Sequence, residues 1–532
     1  MKNGFLRSFA DSRKMKYSTI NVVFCALVIA IVIMLNSIVS VLSGRFGWYI
    51  DMTQEQIFTL SDDARDMLDG INDEVELEIV FPFDKDKLNV YGTTESYGSI
   101  GYIHSTAQQI AEACDNVTVS YHDVDTDYLF YKEAGVLGKA GEENILILRK
   151  TESGKYAEGD FRVYPINWFY VNDENGSLYG YNGEKIFMSA LVALAENTTP
   201  MAYFTIGHSE DSFEKENVEI TYENIYKMAV EGAINPKSAE LMLLLTECGF
   251  NVKAIDLMTQ EIPEDARMIF INQPKSDFDI QELYKLETYL GVDGIVFCFT
   301  PHDAELPNLY KNITSWSGVT VNTNATPVED ASTQFANTKY TLLANVSSTH
   351  DYFATSKYFS SLKSYSSAKA RFFNTGVLSV DEQFITSEGF NIGQATKRYT
   401  YPLLETTQKA VFNGNSGVQS LMTITSTEHF YAGVVGEAYS EFSYLVVCPS
   451  SEFASTAYLG ESSYPNRKMI MSLIQATSTM QTPVNIDYKT FMDYDLDITD
   501  RQAQTATALL ATVIPALAII CGVVIIVRRK NR

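Results

Sequence analysis

The chain has 532 residues and a formal net charge of -26, and hydrophobic residues make up 46% of it. Its 32 Tyr and 30 Phe exclude a disordered chain and supply enough apolar surface for roughly two to four folded domains. So acidic a protein repels phosphate backbones, and we therefore expect no nucleic-acid partner.

Two apolar segments, one near each end of the chain, are long enough to cross a bilayer, which takes about 20 residues. They cover residues 22–42 and 506–527. Basic residues cluster on the terminal side of both segments, so the positive-inside rule predicts that both termini lie in the cytoplasm. We therefore expect a two-pass protein of the cell membrane with residues 44–504 outside the cytoplasm. A cleaved signal peptide is the alternative for the first segment, but its apolar run exceeds the roughly 7–15 residues of such signals.

The stretch after the first apolar segment predicts a helix and then a strand. Ser61 is a suitable N-cap, and the apolar residues between 64 and 71 recur at the spacing of one helix face. In residues 75–81, apolar side chains alternate with Glu76 and Glu78, which predicts a half-buried strand.

Helices and strands continue to alternate up to residue 196. They are predicted over residues 101–114, 116–125, 143–150 and 183–196. We expect a first extracytoplasmic α/β domain over residues 44–197, after a cytoplasmic tail and first transmembrane helix in residues 1–43.

A second run of strands and helices begins at residue 201. Strands that begin at residues 201, 251, 266 and 294 alternate with helices that begin at residues 238 and 279. This alternation is typical of βαβ units, so the predicted fold class is α/β with two units and mainly parallel sheets.

The rest of the chain gives weaker patterns. Residues 315–400 are rich in Ser, Thr, Asn and Tyr and predict long surface excursions with some strands. We place the second extracytoplasmic α/β domain, with these long insertions, over residues 198–485. An acidic linker over 486–504 then leads to the second transmembrane helix and a basic cytoplasmic tail in residues 505–532.

The sequence lacks the common catalytic and nucleotide-binding motifs. The phosphate-cradling G-x-x-x-x-G-K-[ST], the dinucleotide-binding G-x-G-x-x-G, the zinc-binding H-E-x-x-H and the nucleophile elbow G-x-S-x-G are all absent. We therefore expect no enzyme, and we assign no catalytic residue, no cofactor and no metal ligand. Four cysteines outside the apolar spans form no C-x-x-C pair and are predicted to be buried free thiols: Cys114, Cys248, Cys298 and Cys448.

Polar residues follow two of the predicted strands and form the one candidate binding site. His208 and Glu210 lie in "GHSED", and His302 and Asp303 lie in "TPHD". In open parallel sheets, ligands bind at the carboxyl ends of the strands, so these residues could line a shared crevice. The alternative is a pair of polar loops, in which Gly207 makes a tight turn.

A series of landmarks along the chain resembles the GldG family, the auxiliary extracytoplasmic components of ABC-type transport systems that are named from gliding motility. The landmarks are, in order, "YIDMTQEQIFTLSDDARDMLDGI", "VELEIVF", "VSYHDVD", "GEKIFMSALVAL", "YFTIGHSED", "IFINQPKSDFDIQELYKLETYLGVDGIVFCFTP", "YPLLETT" and "VVCPSSEFAS" with "NRKMIMSLI". The chain departs from the family pattern where Met52 replaces Leu, Phe58 replaces Tyr, and Ser209 and Asp293 each replace Gly.

This resemblance implies an amidotransferase-like α/β outer region without a known catalytic nucleophile. It also implies a separate ATPase and a separate permease as partners. Independently, two spans are too few for a transport pathway, and the chain has no nucleotide-binding motif. We therefore expect a non-catalytic accessory subunit that is anchored in the lipid bilayer and binds a cargo or an envelope component.

Two alternatives stay open. One is a structural or adhesive protein of the cell envelope that uses its Tyr-rich surface. The other is a membrane-tethered, metal-dependent hydrolase acting at His208, Glu210, His302 and Asp303.

Overall fold

The structure is a computed structural model, and it divides the chain into two compact units, Met1–Thr59 and Leu60–Arg532. The residues that it describes are 31, 34, 57, 59–71, 75–85, 100–151, 154–172, 177–195, 200–335, 338–347, 369–381, 388–391, 394–432, 438–461, 463–478 and 486–491. Within these ranges, no helix combines the length and the apolar character that crossing a membrane requires. Both predicted transmembrane segments lie outside the described residues, apart from Ile31 and Met34.

The first sheet is mixed and has four strands. Its elements in chain order are α1 (Asp62–Leu68), β1 (Glu76–Phe81), α2 (Ile100–Ala113), β2 (Val117–Tyr121), α3 (Tyr128–Glu133), β3 (Asn144–Lys150) and β4 (Tyr156–Pro165). The strand order is β2-β1-β3-β4. Only β1 and β2 run parallel, whereas β3 is antiparallel to both β1 and β4, so the expectation of a mainly parallel sheet is wrong here.

The helix predicted at the start of this region is confirmed. The Ser61 hydroxyl accepts a hydrogen bond from the Ala64 amide at 3.2 Å and so caps α1. The same hydroxyl donates to Glu184 at 2.8 Å, which ties the helix start to a distant part of the chain. Met67 and Leu68 are buried, as their spacing predicts.

The expectation that β1 is half-buried is wrong, because structure covers both of its faces. Glu78, expected to face solvent, is 6% exposed. Its carboxylate accepts a hydrogen bond from the Tyr156 hydroxyl at 2.8 Å and lies 3.1 Å from the Lys150 ammonium. Burial raises the pKa of Glu78, but its contacts with the Tyr156 hydroxyl and the Lys150 ammonium outweigh burial and lower the pKa overall.

A small sheet and a long buried helix complete this part of the chain. They comprise a 3-10 turn (Ile166–Phe169), β5 (Tyr170–Asn172), β6 (Leu178–Tyr181) and α4 (Gly183–Ala195). Nearly every side chain of α4 is buried, and the helix packs on β1, β3 and β4. A helix that is apolar all round must be buried on all sides, which agrees with its sequence.

The second sheet begins with a βαβ region. Its elements are β7 (Met201–Thr205), β8 (Glu219–Ile220), α5 (Ile225–Val230), α6 (Ala239–Glu247), β9 (Asn251–Ile255), β10 (Ala266–Asn272), α7 (Ile280–Leu290), β11 (Ile295–Phe299) and α8 (Pro307–Ser317). The helices alternate with the strands as predicted.

The remainder of the described chain is mostly antiparallel. It contains β12 (Val319–Asn322), β13 (Glu329–Asp330), β14 (Gln334–Phe335), β15 (Thr338–Val346), β16 (Ala370–Phe373), β17 (Val377–Val380), β18 (Glu388–Asn391), β19 (Gln394–Glu405), β20 (Ala410–Phe412), β21 (Asn415–Ser416), β22 (Ser420–Ala432), β23 (Ala438–Cys448), α9 (Thr456–Leu459), α10 (Asn466–Ser478) and β24 (Lys489–Thr490). The last strand lies in the predicted linker and pairs with β6.

Five strands of the second sheet are parallel, in the order β9-β7-β10-β11-β23. From β23 the sheet continues through β22, β19, β15 and β14 by antiparallel pairing. The described part of residues 315–400 contributes β14, β15 and the first half of β19 to this extension, and its Leu342, Ala344 and Phe372 belong to the core. Frequent Ser, Thr and Tyr side chains on these strands hid their apolar faces from the sequence analysis.

Both faces of the parallel strands are buried. In β7, Ala202 and Phe204 join one core with α6 and α10, while Met201 and Tyr203 join the other with α7 and α8. Phe204 also begins an aromatic ladder across neighbouring strands, with ring centroids 4.9 Å from Phe270, which is 4.8 Å from Phe297. All four cysteines predicted to be buried free thiols are buried, and none of them forms a disulfide bond with another described residue.

An ionic cluster joins the helices of the two sheets. Glu247 of α6 lies 2.6 Å from Arg467 of α10 and 3.1 Å from Lys185 of α4. A second carboxylate, Glu240, lies 2.9 Å from Arg467. Burial raises the pKa of Glu247, but the charges of Arg467 and Lys185 outweigh burial and lower it.

We predict that Arg467→Met lowers the free energy of unfolding by about 3–5 kcal/mol, because it leaves a buried carboxylate with one partner fewer. The matched control is Lys227→Met, since Lys227 is 71% exposed and pairs only with Glu231 in the described chain. That control should cost less than about 1 kcal/mol. Chemical denaturation of the purified variants measures the free energy of unfolding of each. An equal decrease for Arg467→Met and Lys227→Met would contradict a stabilising role for the cluster.

Candidate functional site

The carboxyl ends of β7, β10, β11 and β23 meet at one edge of the second sheet, which we call the polar edge. It consists of residues 206–212, 272–276, 300–303 and 448–451, together with residues 374 and 375, which pair with the last of these loops. Three of the five described non-glycine residues with positive φ lie here: Ser209 at 57°, Gln273 at 59° and Asn374 at 45°. Strained backbone of this kind is held only where the surrounding contacts over-determine it.

His208 occupies the loop after β7 and is 7% exposed. Its Nδ1 lies 3.5 Å from Glu210 Oε1, and its Nε2 lies 3.2 Å from Glu282 Oε2. The ring also stacks on Phe278, with a centroid distance of 3.9 Å. Gly207, with φ of 112°, makes the turn that brings the imidazole between the two carboxylates.

Glu282 connects this histidine to the start of α7. Asp279 and Glu282 form a capping box, in which the Glu282 carboxylate accepts from the Asp279 amide at 2.8 Å. The same oxygen, Oε2, faces His208 Nε2. One carboxylate thus caps the helix and holds the imidazole, so the loop after β7 and the helix after β10 are fixed to each other.

A second charged cluster lies beside the first. Asp211 is 7% exposed, and its two carboxylate oxygens each lie 2.9 Å from a lysine ammonium, Lys275 and Lys237. Burial raises the pKa of Asp211, but the hydrogen bonds from the two lysines outweigh it and lower the pKa. The backbone of the loop is held as well, because Asn272 Nδ2 donates to the Asp211 carbonyl at 2.8 Å.

Gln273 links the middle of the edge to its far side. Its backbone N–H donates to the Phe299 carbonyl at 2.7 Å, and its side-chain Nε2 donates to the Ser450 carbonyl at 2.8 Å. These bonds reach from the end of β10 to the ends of β11 and β23. They hold Gln273 in its left-handed conformation.

His302 lies at the β11 end of the edge and has different neighbours. Its Nδ1 is 3.3 Å from the Ser451 hydroxyl and 3.7 Å from the Asp303 carboxylate. Burial lowers the pKa of His302, and Asp303 offsets this only in part. The pKa of His208 moves the other way: burial lowers it, but Glu210 and Glu282 outweigh burial and raise it.

The four residues singled out in the sequence therefore share one edge but form two separate pairs. His208 meets Glu210, and His302 meets Asp303. The strand order places β10 between β7 and β11, and two strand spacings separate the pairs by roughly 10 Å. The sequence could not show this, because strand order is a property of the sheet.

Sequence reasoning missed several groups that build the edge. The main ones are Glu282, Gln273 and the two lysines that pair with Asp211, Lys237 and Lys275. Only Glu282 left a signal: Asp279 followed three residues later by Glu282 is the pattern of a capping box. The partners of Asp211 are 26 and 64 residues away along the chain, beyond the reach of any local pattern.

The described side chains of the edge offer paired charges and hydrogen-bonding groups. Among the described residues, no group of three or more His, Cys, Asp or Glu could hold a metal ion. The thiols closest to the edge, Cys298 and Cys448, are buried, and burial raises the pKa of both, which disfavours a reactive thiolate.

Comparison with known proteins leaves the family open. No family profile and no curated protein matches the sequence. Among solved structures, the chain is similar to the mmIFT52 N-terminal domain, with a TM-score of 0.31 and 14% identity over 52% of this chain and 97% of that chain. A TM-score this low carries no argument about fold or function.

We predict that His208→Gln destabilises the protein by about 1–3 kcal/mol near pH 6, because two buried carboxylates lose a charged partner. The folded state raises the pKa of His208 above its usual 6.5. The cost of the substitution is therefore full below about pH 6.5 and disappears as pH rises through the raised pKa. Thermal unfolding over a pH series measures it.

His302→Gln is the matched control, and its pH dependence should have the opposite sign. Because the pKa of His302 is lowered, folding favours the neutral imidazole. The native histidine therefore increasingly lowers the free energy of unfolding as pH falls. Parallel pH profiles for the two variants would contradict the arrangement of carboxylates described above.

Proposed function

We propose that this protein is a non-catalytic, extracytoplasmic accessory subunit of an ABC-type transport system. In this proposal, two helices anchor it in the cell membrane, a separate ATPase and permease are its partners, and the polar edge binds cargo or an envelope component. The observation that carries the proposal is the construction of this edge. Its charged groups are paired within the protein, and its loops are held by hydrogen bonds that join three neighbouring strands.

Such an edge favours recognition because little of it has to be ordered when a ligand arrives. A preformed site loses less conformational entropy on binding than a loop that folds around its ligand. Ligands of parallel α/β sheets bind at this end of the strands, where loops of different strands converge.

The sequence landmarks give independent support. "YFTIGHSED" covers β7 and the loop with His208, and "IFINQPKSDFDIQELYKLETYLGVDGIVFCFTP" covers β10, α7 and β11. Two of the segments that resemble the GldG family therefore contribute three of the four strand ends that form the polar edge. Two apolar spans and the lack of nucleotide-binding motifs fit a subunit that depends on other chains for energy and for a pathway.

We predict that the full chain, extracted in mild detergent and purified by an affinity tag, brings along one ATPase and one polytopic permease. Quantitative mass spectrometry against an untagged strain is the measurement. The variant Gln273→Ala is the informative control, because it changes the polar edge and should leave subunit docking intact. Recovery of the chain without an ATPase and a permease would overturn the proposal and favour a structural envelope protein.

The metal-dependent hydrolase makes a different prediction. Under the non-catalytic proposal the polar edge binds no metal, so adding zinc or manganese should leave the thermal unfolding midpoint of the purified protein unchanged. A metal raises that midpoint only when the folded state binds it. A rise in the midpoint that is lost in His208→Gln would favour the hydrolase instead.

A further inference from the structure

An open groove lies on the outer side of α7, away from the polar edge contacts of Glu282. It has a volume of about 880 Å³ and runs between this helix and residues 261–266, which lead into β10. Its apolar lining includes Ile262, Pro263, Ile280, Tyr284 and Val292. This size and composition are typical of a binding groove.

The apolar side chains of α7 that line the groove are unusually exposed. Ile280 is 74% exposed, Tyr284 68% and Val292, just beyond the helix, 47%. Residues four apart lie on the same face of a helix, so Ile280 and Tyr284 form a continuous stripe. The opposite face of α7 is already buried in the core through Leu283 and Leu286. An exposed apolar stripe that lines a concave groove is a candidate binding surface.

The rim of the groove carries an excess of negative charge. Among the lining residues, three carboxylates, Glu261, Glu264 and Asp293, face one ammonium, Lys285, which gives a net charge of -2. Lys285 is engaged, since it donates to the Leu257 and Gln260 carbonyls at 2.8 and 2.7 Å and lies 3.2 Å from Glu261.

The charge is uneven along the rim. At the end near β11, Arg267 lies 3.3 Å from Asp293 and offsets it. At the other end, the Glu261 side chain is 84% exposed and Glu264 is exposed too. Glu261 is paired with Lys285, so the carboxylate least offset among the lining residues is Glu264, with the exposed Glu261 beside it.

The groove is held open by contacts between its two walls. Tyr289 of α7 donates its hydroxyl hydrogen to the Ala266 carbonyl at 3.0 Å, and Lys285 donates to the Leu257 and Gln260 carbonyls, just before the opposite wall. The capping box at Asp279 fixes the start of the helix. A partner would therefore meet a preformed surface, which lowers the entropic cost of binding.

We propose that this groove docks a polypeptide segment of a partner protein, in which apolar side chains are flanked by Lys or Arg. The apolar residues would pack on Ile280 and Tyr284, and the basic residues would face Glu261 and Glu264. Charge complementarity selects this occupant. The acidic rim repels the anionic headgroups of a bilayer, and a second copy of this chain, with its net charge of -26, is also disfavoured. The inference goes beyond the proposed function and does not depend on it.

A defined peptide tests the chemistry of the groove. The probe is a fluorescent synthetic peptide with a Leu- and Phe-containing centre and two lysines at each end, titrated against the full chain in detergent by anisotropy. We expect binding that weakens as salt is added. A peptide with Glu in place of every Lys should bind at least about tenfold more weakly.

Matched variants locate the binding. Tyr284→Ala, and separately the pair Glu261→Gln and Glu264→Gln, should each weaken binding of the lysine peptide about tenfold. Val230→Ala is the control, because Val230 is 89% exposed on α5 and is not a lining residue of the groove. All of these positions are exposed, so unchanged thermal midpoints verify folding. Equal affinity of the Tyr284→Ala variant and the native chain would overturn the proposal.

Crosslinking in membranes of the native host identifies the occupant. A photoreactive residue replaces Tyr284 in one chain and Val230 in the control chain, and the adducts are mapped by mass spectrometry. The proposal expects an adduct specific to position 284, on a peptide that combines apolar residues with Lys or Arg. That adduct should be lost when Glu261→Lys and Glu264→Lys are added. A lipid adduct, an adduct within this chain or to a second copy, or no specific adduct would each overturn it.

Discussion

The second sheet depends on one constraint, the burial of its parallel strands on both faces. Because β7, β10 and β11 are covered by helices above and below, their side chains are almost all apolar, and neither face can carry a polar ligand. Polar groups can then approach the sheet only where the strands end. The His208 loop, Gln273 and His302 all lie at such ends, so the position of the candidate site follows from the packing of the core.

The same constraint explains why the polar edge is rigid. Each loop that leaves a buried strand must satisfy its backbone groups, and here neighbouring loops do this for one another. Lys275 donates its amide to the His208 carbonyl, and Gln273 bonds both Phe299 and Ser450. Glu282 adds a helix cap to these contacts and at the same time holds the His208 ring. An edge of this kind presents a fixed pattern of polar atoms, which is what recognition of a ligand or a partner requires.

The helices that cover the two faces of the second sheet differ in what they contact. On one face, α6 and α10 carry Glu247 and Arg467, whose charges reach Lys185 of α4 and so connect the two sheets. On the other face, α7 packs Leu283 inward and leaves Tyr284 exposed above an acidic rim. One face thus joins the two α/β parts of the chain, and the other face offers a surface for a further protein.

The local structure could be predicted from the amino-acid sequence: the cap of α1 at Ser61, the alternation of strands and helices after residue 201, and the loop that carries His208 and Glu210. These are set by turn chemistry and by apolar periodicity, which act over a few residues. Three further features follow from the three-dimensional packing: Glu78 is buried, β10 separates His208 from His302, and Glu282 is the second partner of His208. Strand order and ionic pairing join residues far apart along the chain, and their energies arise only after the sheet has formed, so no local pattern records them.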